Sequence, residues 1–194
     1  MVSRRTIAAA AVVLGGALTA TADVVAQARG GCAAPAARAF DFWVGEWDVL
    51  QRILRRDGTY LELPASTAVS AALDGCALVE RWSGAVQFFW EGMDAPAPMK
   101  GLSVRAYDPD SGEWSIHWMD TRSPRFGTPY VGGFSGGRGV FYREWEMPRG
   151  SRTGRITFSD IARDAVRWSL AVSDDGRQSW TVLWTMDMRR KEKR

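Results

Sequence analysis

Residues 40–50 read Phe-Asp-Phe-Trp-Val-Gly-Glu-Trp-Asp-Val-Leu, and this stretch decides the fold. Pro35 lies near the start of the Ala-rich run before it and suits the first turn of a helix, so one or two helical turns are predicted there. Gly45 breaks the run, and residues 47–52 then alternate between two faces, as a β-strand does. A short helix that ends on Gly-x-Trp can plug a β-barrel, with the Trp47 indole across the floor and about 200 Å² buried. The alternative is an aromatic cluster at the start of an ordinary strand.

The rest of the chain consists of short alternating segments separated by turn residues. Turn signals recur at 57–58, 74–75 and 174–176, and Pro64 is expected to end a strand or to mark a sheet edge. No segment of any length carries the 3.6-residue period of a helix. These patterns predict an all-β protein, an antiparallel up-and-down β-barrel of about ten strands with a short N-terminal plug helix. Closing the barrel removes the exposed edges that an open meander would leave.

The opening stretch also resembles a known motif. Residues 40–47 are similar to the Phe-Asp-Phe-Trp-x-Gly-x-Trp heading of a family of secreted bacterial proteins of unknown function, itself similar to the calycins, the lipocalins and their relatives. Weaker matches follow at 73–76 with 80–82, 101–103 with 107–108, 114–120, and 173–176 with 180. The sequence departs from the family at Arg177, where glycine is usual, and at His117, where glutamine is more frequent. The resemblance covers nearly all of the chain after residue 28 and implies a lipocalin-like barrel, but no activity.

The resemblance further implies a contact between the first and last strands. In calycin-like barrels an arginine of the last strand lies over the tryptophan of the Gly-x-Trp pair, here Gly45 and Trp47. Alternation along the last strand places Arg190 on the apolar face and Arg189 on the other, so Arg190 is predicted over the Trp47 ring. Such a contact is worth about 1–2 kcal/mol when partly desolvated. Trp43 is also predicted to be a structural residue. The alternative to the stacking contact is a basic C-terminal end with Arg189 and Arg190 both in water.

Residues 1–28 are predicted to be a signal peptide. Arg4 and Arg5 give a positive start, an apolar stretch follows from residue 7 to 18, and Ala-Gln-Ala at 26–28 is a small-x-small cleavage site. The apolar stretch is too short for a membrane span, which needs about 20 residues, so no transmembrane segment is expected after cleavage. Export by the twin-arginine or the general secretion route would place residues 29–194, a single domain, in the periplasm or outside the cell.

Two cysteines, Cys32 and Cys76, follow the predicted signal peptide. In an oxidising compartment such a pair tends to form a disulfide, which would stabilise the fold by about 4 kcal/mol through loop-closure entropy. It would also attach the N-terminal plug to the strand region near Gly75. The alternative is a pair of free thiols. Lipidation of Cys32 is less favoured, because Arg29 stands where that signal requires an aliphatic residue.

The candidate ligand-binding residues are polar side chains in strand-like segments: Glu80, Ser103, Arg105, His117 and Asp120. Buried charges cost several kcal/mol unless they are paired. Members of this set that face inward are therefore expected to form a hydrogen-bonded cluster that orients a ligand.

Either face of the strand that contains His117 could point into the barrel. Trp114, Ile116 and Trp118 share one face, and His117 lies on the other. If the tryptophan face packs outward, His117 points into the barrel and could bind a ligand or a haem iron; otherwise it faces solvent. As the only histidine, it excludes a metal site built from several histidines of one chain. No metal, cofactor or catalytic residue is predicted, since no Ser-His-Asp, Cys-His or phosphate-loop spacing is present.

The favoured function is non-covalent binding of a small, largely apolar molecule, because a barrel of this size holds one ligand. One alternative is an enzyme with a carboxylate site inside the barrel, and another is a cell-envelope interaction or structural barrel whose core its ten tryptophans fill. Residues 86–98 are expected to form either a lid over the barrel mouth or a buried strand with an ordinary loop. The net charge is only +3 and the basic residues are scattered along the chain, so no nucleic-acid partner is predicted. Nothing in the sequence indicates an oligomeric state.

Overall fold

The computed structural model describes residues 31–147 and 150–192, and the predicted signal peptide lies outside them. Ten antiparallel β-strands form one closed barrel in this part of the chain. The strands are β1 (Gly45–Leu54), β2 (Tyr60–Ala72), β3 (Ala77–Val86), β4 (Ala97–Asp108), β5 (Glu113–Asp120), β6 (Tyr130–Ser135), β7 (Arg138–Met147), β8 (Gly150–Ser159), β9 (Ala165–Ser173) and β10 (Thr181–Arg190). Short 3₁₀ helices occupy Pro35–Arg38, Asp41–Trp43, Leu73–Gly75 and Phe89–Glu91.

Strands that follow one another in the chain are neighbours in the sheet, and β1 pairs with β10 to close it. This up-and-down order confirms the predicted barrel of about ten strands. The N-terminal plug consists of two 3₁₀ helices, at Pro35–Arg38 and Asp41–Trp43, where one short helix was expected.

Pro64 does not end a strand, but it lies at a local edge of the sheet, which was the second of the two expectations for this residue. β2 continues through Pro64, which pairs with Leu50 of β1. Pairing of β2 with β3 begins one residue later, at Ala65 and Gly84. The missing N–H of proline therefore falls where the β2–β3 ladder has not yet started, and the strand tolerates it.

The plug fills one end of the barrel. Phe40 and Trp43 are buried to within 1% of full burial. The Phe40 ring makes edge contacts with Trp114, Phe134 and Phe158 at centroid distances of 5.0, 4.7 and 5.2 Å. Aromatic pairs in this geometry add about 0.5–1.5 kcal/mol each beyond the area they bury. The plug therefore forms a packed floor that closes one end of the barrel.

The predicted contact between first and last strands is present. The guanidinium carbon of Arg190 lies 4.1 Å from the centroid of the Trp47 ring. Its Nη1 and Nη2 donate to the carbonyl oxygens of Val44 and Phe42 at 2.7 and 2.8 Å. Gly45 has a φ of +137°, and a Cβ at this position would lie 2.3 Å from Arg190 Nη1. Gly45 is therefore required both by its backbone conformation and by the close approach of the arginine.

The disulfide between Cys32 and Cys76 is present, as predicted, with the two Cα atoms 5.0 Å apart. It joins the segment before the plug to the turn between β2 and β3. Arg38 strengthens the same connection, because its Nη1 donates to the Asp74 carbonyl oxygen at 3.0 Å. The floor is consequently attached covalently to the wall of the barrel.

The turn between β9 and β10 is built around Asp175. Its carboxylate accepts hydrogen bonds from the Ser173 and Ser179 hydroxyls and from the backbone N–H groups of Gln178 and Ser179. These bonds, led by those from Ser179, hold the pKa of Asp175 well below its ordinary value. Arg177, where the resemblance implies glycine, adopts a left-handed φ of +71° in this turn. Its side chain bonds Glu144 at 2.8 Å, a contact that glycine could not make.

Candidate ligand-binding site

A cavity of about 420 Å³ occupies the barrel between the plug and the opposite end. Its walls are mostly aromatic and aliphatic, with a few polar side chains among them. The lining residues are Trp43, Glu80, Trp82, Phe88, Trp90, Glu91, Met99, Ser103, Arg105, Ile116, Trp118, Asp120, Arg122, Tyr130, Arg143, Trp145, Met147, Arg152, Ile156, Trp168, Leu170, Val172, Leu183, Trp184 and Met186. Cavities of this size and composition are typical of small-molecule sites in proteins.

The polar part of the wall is formed by β3 and β4. Alternation along β3 turns Glu80 and Trp82 inward, and alternation along β4 does the same for Ser103 and Arg105. The two strands pair with Glu80 directly opposite Ser103, so the four side chains form one continuous patch.

Glu80 and Arg105 form a buried ion pair in this patch. Arg105 Nη2 donates to Glu80 Oε2 at 2.8 Å, and the two side chains are only 3% and 5% exposed. Thr67 Oγ1 donates to the other carboxylate oxygen of Glu80 at 2.9 Å. The Arg105 guanidinium also lies 5.3 Å from the centroids of both Phe40 and Trp43. The pair thus connects the floor to the cavity, and the predicted hydrogen-bonded cluster forms around these two residues.

Several buried polar atoms of the lining have no hydrogen-bond partner among residues 31–147 and 150–192. They are Trp43 Nε1, Trp82 Nε1, Ser103 Oγ, Arg105 Nε, Arg105 Nη1 and Arg143 Nε. A buried donor left without a partner costs about 1–3 kcal/mol. These atoms are enclosed by neighbouring side chains and present almost no surface to the cavity, so they lower the stability of the wall.

Asp120 belongs to a second polar cluster, at the barrel mouth. It accepts hydrogen bonds from Trp118 Nε1 at 3.2 Å and from Arg122 Nη2 at 3.1 Å. Burial acts to raise the pKa of Asp120, but the backbone and side chain of Arg122 and the indole of Trp118 outweigh it and lower the pKa below its ordinary value. Arg122 also bonds Glu91, which anchors the loop between β3 and β4 to this cluster.

The loop between β3 and β4 lies at the mouth, where one of the two expectations had placed a lid. Phe88 and Trp90 stack with centroids 4.8 Å apart, and both line the cavity. Phe88 also meets Trp184 of β10 at 5.1 Å. Phe88 and Trp90 therefore form part of the cavity wall at the end of the barrel opposite the plug.

His117 points away from the cavity, so the expectation that it binds a ligand inside the barrel is wrong. Trp114 and Ile116 are the buried face of β5, at 2% and 5% exposure. His117 lies on the other face, with its ring 5.7 Å from that of Phe126 in the following loop. The four other candidates, Glu80, Ser103, Arg105 and Asp120, all line the cavity.

Arg143 is a lining residue that the sequence analysis did not identify. Its guanidinium lies 4.1 Å from the Trp145 ring centroid and 4.7 Å from that of Tyr130. Burial lowers the pKa of Arg143 and raises that of Tyr130 to about 12. The sequence does indicate this position. Phe141, Arg143 and Trp145 are every second residue of β7 and so share one face, and because Phe141 faces inward, Arg143 does too.

No helix among residues 31–147 and 150–192 has the length and apolar character needed to cross a membrane. Within the same ranges, no three His, Cys, Asp or Glu side chains come together in a way that could hold a metal ion.

Comparison with known proteins finds no matching family model and no significant match among curated proteins. Solved structures do match. The S-type phycobiliprotein lyase CPES from Guillardia theta is 14% identical with a TM-score of 0.52, over 80% of this chain and 92% of that one. Rv2717c from M. tuberculosis is also 14% identical, with a TM-score of 0.53 over 82% of this chain and 99% of that one. At this identity the likeness concerns the fold, which is a lipocalin-like, calycin-type barrel.

Proposed function

We propose that this protein is an exported barrel that binds one small, largely apolar molecule non-covalently. The observation that carries the proposal is the cavity of about 420 Å³, with its apolar walls and its few convergent polar groups. A pocket of this kind encloses most of a small ligand and orients it through a small number of hydrogen bonds.

The cavity argues against a barrel filled by its own side chains. Seven of the ten tryptophans line the space without closing it: Trp43, Trp82, Trp90, Trp118, Trp145, Trp168 and Trp184. A purely structural barrel would be expected to pack its interior at the density of an ordinary core.

An enzyme with a carboxylate site is the less supported alternative. It requires at least two of Glu80, Asp120 and His117 to converge within hydrogen-bond reach. Glu80 is bonded to Thr67 and Arg105, whereas Asp120 is bonded to Trp118 and to Arg122 and Ser123 of the following turn. His117 faces away from both. The two carboxylates therefore belong to separate clusters, and among the described residues neither has a second carboxylate or a histidine as its hydrogen-bond partner.

The test is a titration of the purified protein, with its disulfide intact, with N-phenyl-1-naphthylamine, a neutral apolar fluorophore. Leu170 lines the cavity, so Leu170→Trp should place an indole in the binding space and weaken binding about tenfold, or about 1.4 kcal/mol. Leu50 is 41% exposed on β1, and Leu50→Trp is the matched control that should leave binding unchanged. Absence of binding to the unsubstituted protein, or equal binding by the two variants, would contradict the proposal.

Export is the second part of the proposal and rests on residues 1–28, with the disulfide as support, since disulfides persist in oxidising compartments. Cell fractionation should find the protein outside the cytoplasm and shortened at its N-terminus. Replacing Arg4 and Arg5 with lysine should block export if the twin-arginine route is used and leave it intact if the general route is used. A full-length protein retained in the cytoplasm would contradict export.

A further inference from the structure

We propose that the ligand is an apolar acid, ionised at neutral pH, and that Arg143 and the Tyr130 hydroxyl bind its negatively charged group on the wall of the cavity towards the mouth. This inference rests on the proposed ligand-binding function and adds the charge of the ligand and the position of its polar group. The apolar body of the ligand would lie against the aromatic and aliphatic residues that line the rest of the cavity.

The first step concerns the charges of the cavity wall. Four arginines line the cavity, and three of them form ion pairs with acidic residues. The pairs are Arg105 with Glu80, Arg122 with Asp120 and Glu91, and Arg152 with Asp174. The Glu91 side chain is 46% exposed, so the second acid of Arg122 lies in water.

Arg143 is the fourth lining arginine, and it has no acidic partner within residues 31–147 and 150–192. Its positive charge is therefore not balanced by a neighbouring carboxylate. Charges interact more strongly at a partly buried position than in water, so this part of the wall attracts an anion.

The second step concerns which nitrogen of Arg143 a ligand can reach. Nε is enclosed by neighbouring side chains, and Nη1 donates to the Thr128 carbonyl oxygen at 3.2 Å. Nη2 is not among the enclosed atoms of the wall, and it makes no hydrogen bond to a described residue. Arg105 differs, because both of its unpaired nitrogens are enclosed. Arg143 therefore presents a donor to the cavity, and Arg105 does not.

The third step places a second donor beside the first. Arg143 pairs with Gly154 across β7 and β8, and a Cβ on Gly154 would lie 2.7 Å from the Tyr130 hydroxyl oxygen. That oxygen is not among the enclosed atoms of the wall, and it makes no hydrogen bond to a described residue. Burial raises the pKa of Tyr130 to about 12, so the hydroxyl stays protonated at neutral pH and can donate. One carboxylate can accept from the hydroxyl and from Nη2 together.

Two aromatic rings hold the Arg143 guanidinium in position. Its central carbon lies 4.1 Å from the centroid of Trp145 and 4.7 Å from that of Tyr130. A Cβ on Gly154 would lie 2.5 Å from the Trp145 ring, so glycine at this position leaves room for both rings. A guanidinium held in this way loses little side-chain entropy when it binds an anion.

The position towards the mouth also suits a charged group. Tyr130 and Ile116 are the last pair of the β5–β6 ladder on the mouth side, and Arg143 is only partly buried. A carboxylate at this place keeps part of its hydration, whereas a carboxylate at the plug end would lose all of it. The charge-assisted hydrogen bond from Arg143 is then a net gain in affinity.

The experiment compares three ligands with the same ring system: 2-naphthoate, 2-naphthalenemethanol and 2-naphthylmethylamine. At neutral pH the first is an anion, the second is neutral and the third is a cation. Each displaces N-phenyl-1-naphthylamine from the purified protein. We expect 2-naphthoate to bind at least about tenfold more tightly than the alcohol, and the amine to bind more weakly than the alcohol.

Three results would overturn the inference while leaving the proposed function in place. They are equal affinities for the acid and the alcohol, tighter binding of the amine than of the acid, and no displacement of the bound fluorophore by 2-naphthoate. Failure of the fluorophore itself to bind would instead contradict the proposed function.

Substitutions at Arg143 then test the place of binding. Arg143→Gln removes the charge and should reduce the preference for 2-naphthoate over the alcohol to about twofold or less. Arg143→Lys keeps the charge without the planar fork and should retain an intermediate preference. The matched control is Arg138→Gln, which removes an exposed arginine at the other end of β7 and should keep the full preference. A full preference in Arg143→Gln would show that the anion lies elsewhere.

Tyr130→Phe keeps the test decisive if Arg143→Gln does not fold. It retains the ring against Arg143, removes only the hydroxyl, and should weaken 2-naphthoate binding about threefold to tenfold relative to the alcohol. Tyr142→Phe is its control, because Tyr142 lies on the other face of β7 beside Trp180, and it should change nothing. An unchanged preference in Tyr130→Phe would contradict the proposed site.

Discussion

Arg190 and Arg105 each lie over a tryptophan ring, but their guanidinium groups have different hydrogen-bond partners. Arg190, under the floor, donates to three backbone carbonyl oxygens, those of Phe42, Val44 and Arg163. Arg105, inside the barrel, bonds only Glu80 and leaves Nε and Nη1 without a partner among the described residues. Both guanidinium groups pack against aromatic rings, at 4.1 Å from Trp47 and 5.3 Å from Trp43.

The difference lies in how fully the hydrogen-bonding capacity of each guanidinium is used. A guanidinium whose nitrogens all donate to the backbone holds a fixed geometry and has little capacity for another partner. A buried guanidinium with unpaired nitrogens costs stability. The floor arginine therefore stabilises the closed barrel more than the arginine of the patch on β3 and β4 does.

The largest expected effect comes from breaking the inner pair. Arg105→Met leaves Glu80 buried without its counter-charge and should lower the free energy of unfolding by about 4 kcal/mol. Urea denaturation measures the loss. The double variant Glu80→Gln, Arg105→Gln, which leaves no buried charge, should recover most of it. A loss from Arg105→Met below about 1 kcal/mol, as for an exposed pair, would show that the pair is not desolvated.

Gly45→Ala tests the floor and should cost about 3 kcal/mol. The substitution forces a Cβ into a backbone conformation with φ of +137° and into the space of Arg190 Nη1. The first of these costs about 1–2 kcal/mol, and displacement of the arginine accounts for the rest. Thermal and urea unfolding measure the effect. A loss no larger than that of a surface substitution, about 0.5 kcal/mol, would contradict the close packing of the floor.

Arg190→Met removes the stacking on Trp47 together with the bonds to the backbone, and should cost about 2 kcal/mol. Arg189→Met is the matched control, because Arg189 is exposed on the opposite face of β10, and it should cost less than about 0.5 kcal/mol. Combined with Gly45→Ala, the Arg190→Met variant should show a loss smaller than the sum of the two single losses, since both disturb one contact. Strict additivity would show that the glycine and the arginine act independently.

The smallest expected effect concerns Asp120 at the mouth, whose pKa is lowered in the folded protein. A carboxyl group with a lowered pKa stabilises the fold above its unfolded pKa, about 3.9, and that contribution is lost as the pH falls through the folded value. Asp120→Asn should therefore reduce stability at pH 6 by less than about 1 kcal/mol and should reduce it less at pH 3. Urea denaturation at both pH values measures this, and an equal loss at both would contradict the ionised role of Asp120.

The floor was more predictable from the sequence than the cavity, because fewer strands determine its structure. Gly45, Trp47 and Arg190 follow from strand alternation near the ends of two strands, together with a recognisable Gly-x-Trp motif. The pairing of Cys32 with Cys76 follows from a count of two. Each of these inferences needs one or two strands and no knowledge of the remaining walls.

The cavity depends on how eight or more strands face one another. Alternation along β5 separates His117 from Trp114 but does not say which face is inward, since aromatic side chains can cover either side of a sheet. Arg143 was missed although Phe141 and Trp145 lie on the same face of β7, because arginine is rarely buried and is assigned to the surface by default. The free donors of Arg105 cannot be read from the sequence at all, because a missing partner is a property of the whole interior.

The pairing of β1 with β10 also has a consequence for how the chain folds. Trp47 pairs with Arg190 across almost the entire length of the barrel sequence, while each other seam of the described sheet joins consecutive strands. Local hairpins can form as soon as their two strands exist, but this seam must wait for the last strand and bears the largest loop-closure entropy. Until β10 is available, a nascent chain therefore leaves one edge of β1 unpaired, and Arg190 reaches the floor only as the barrel closes.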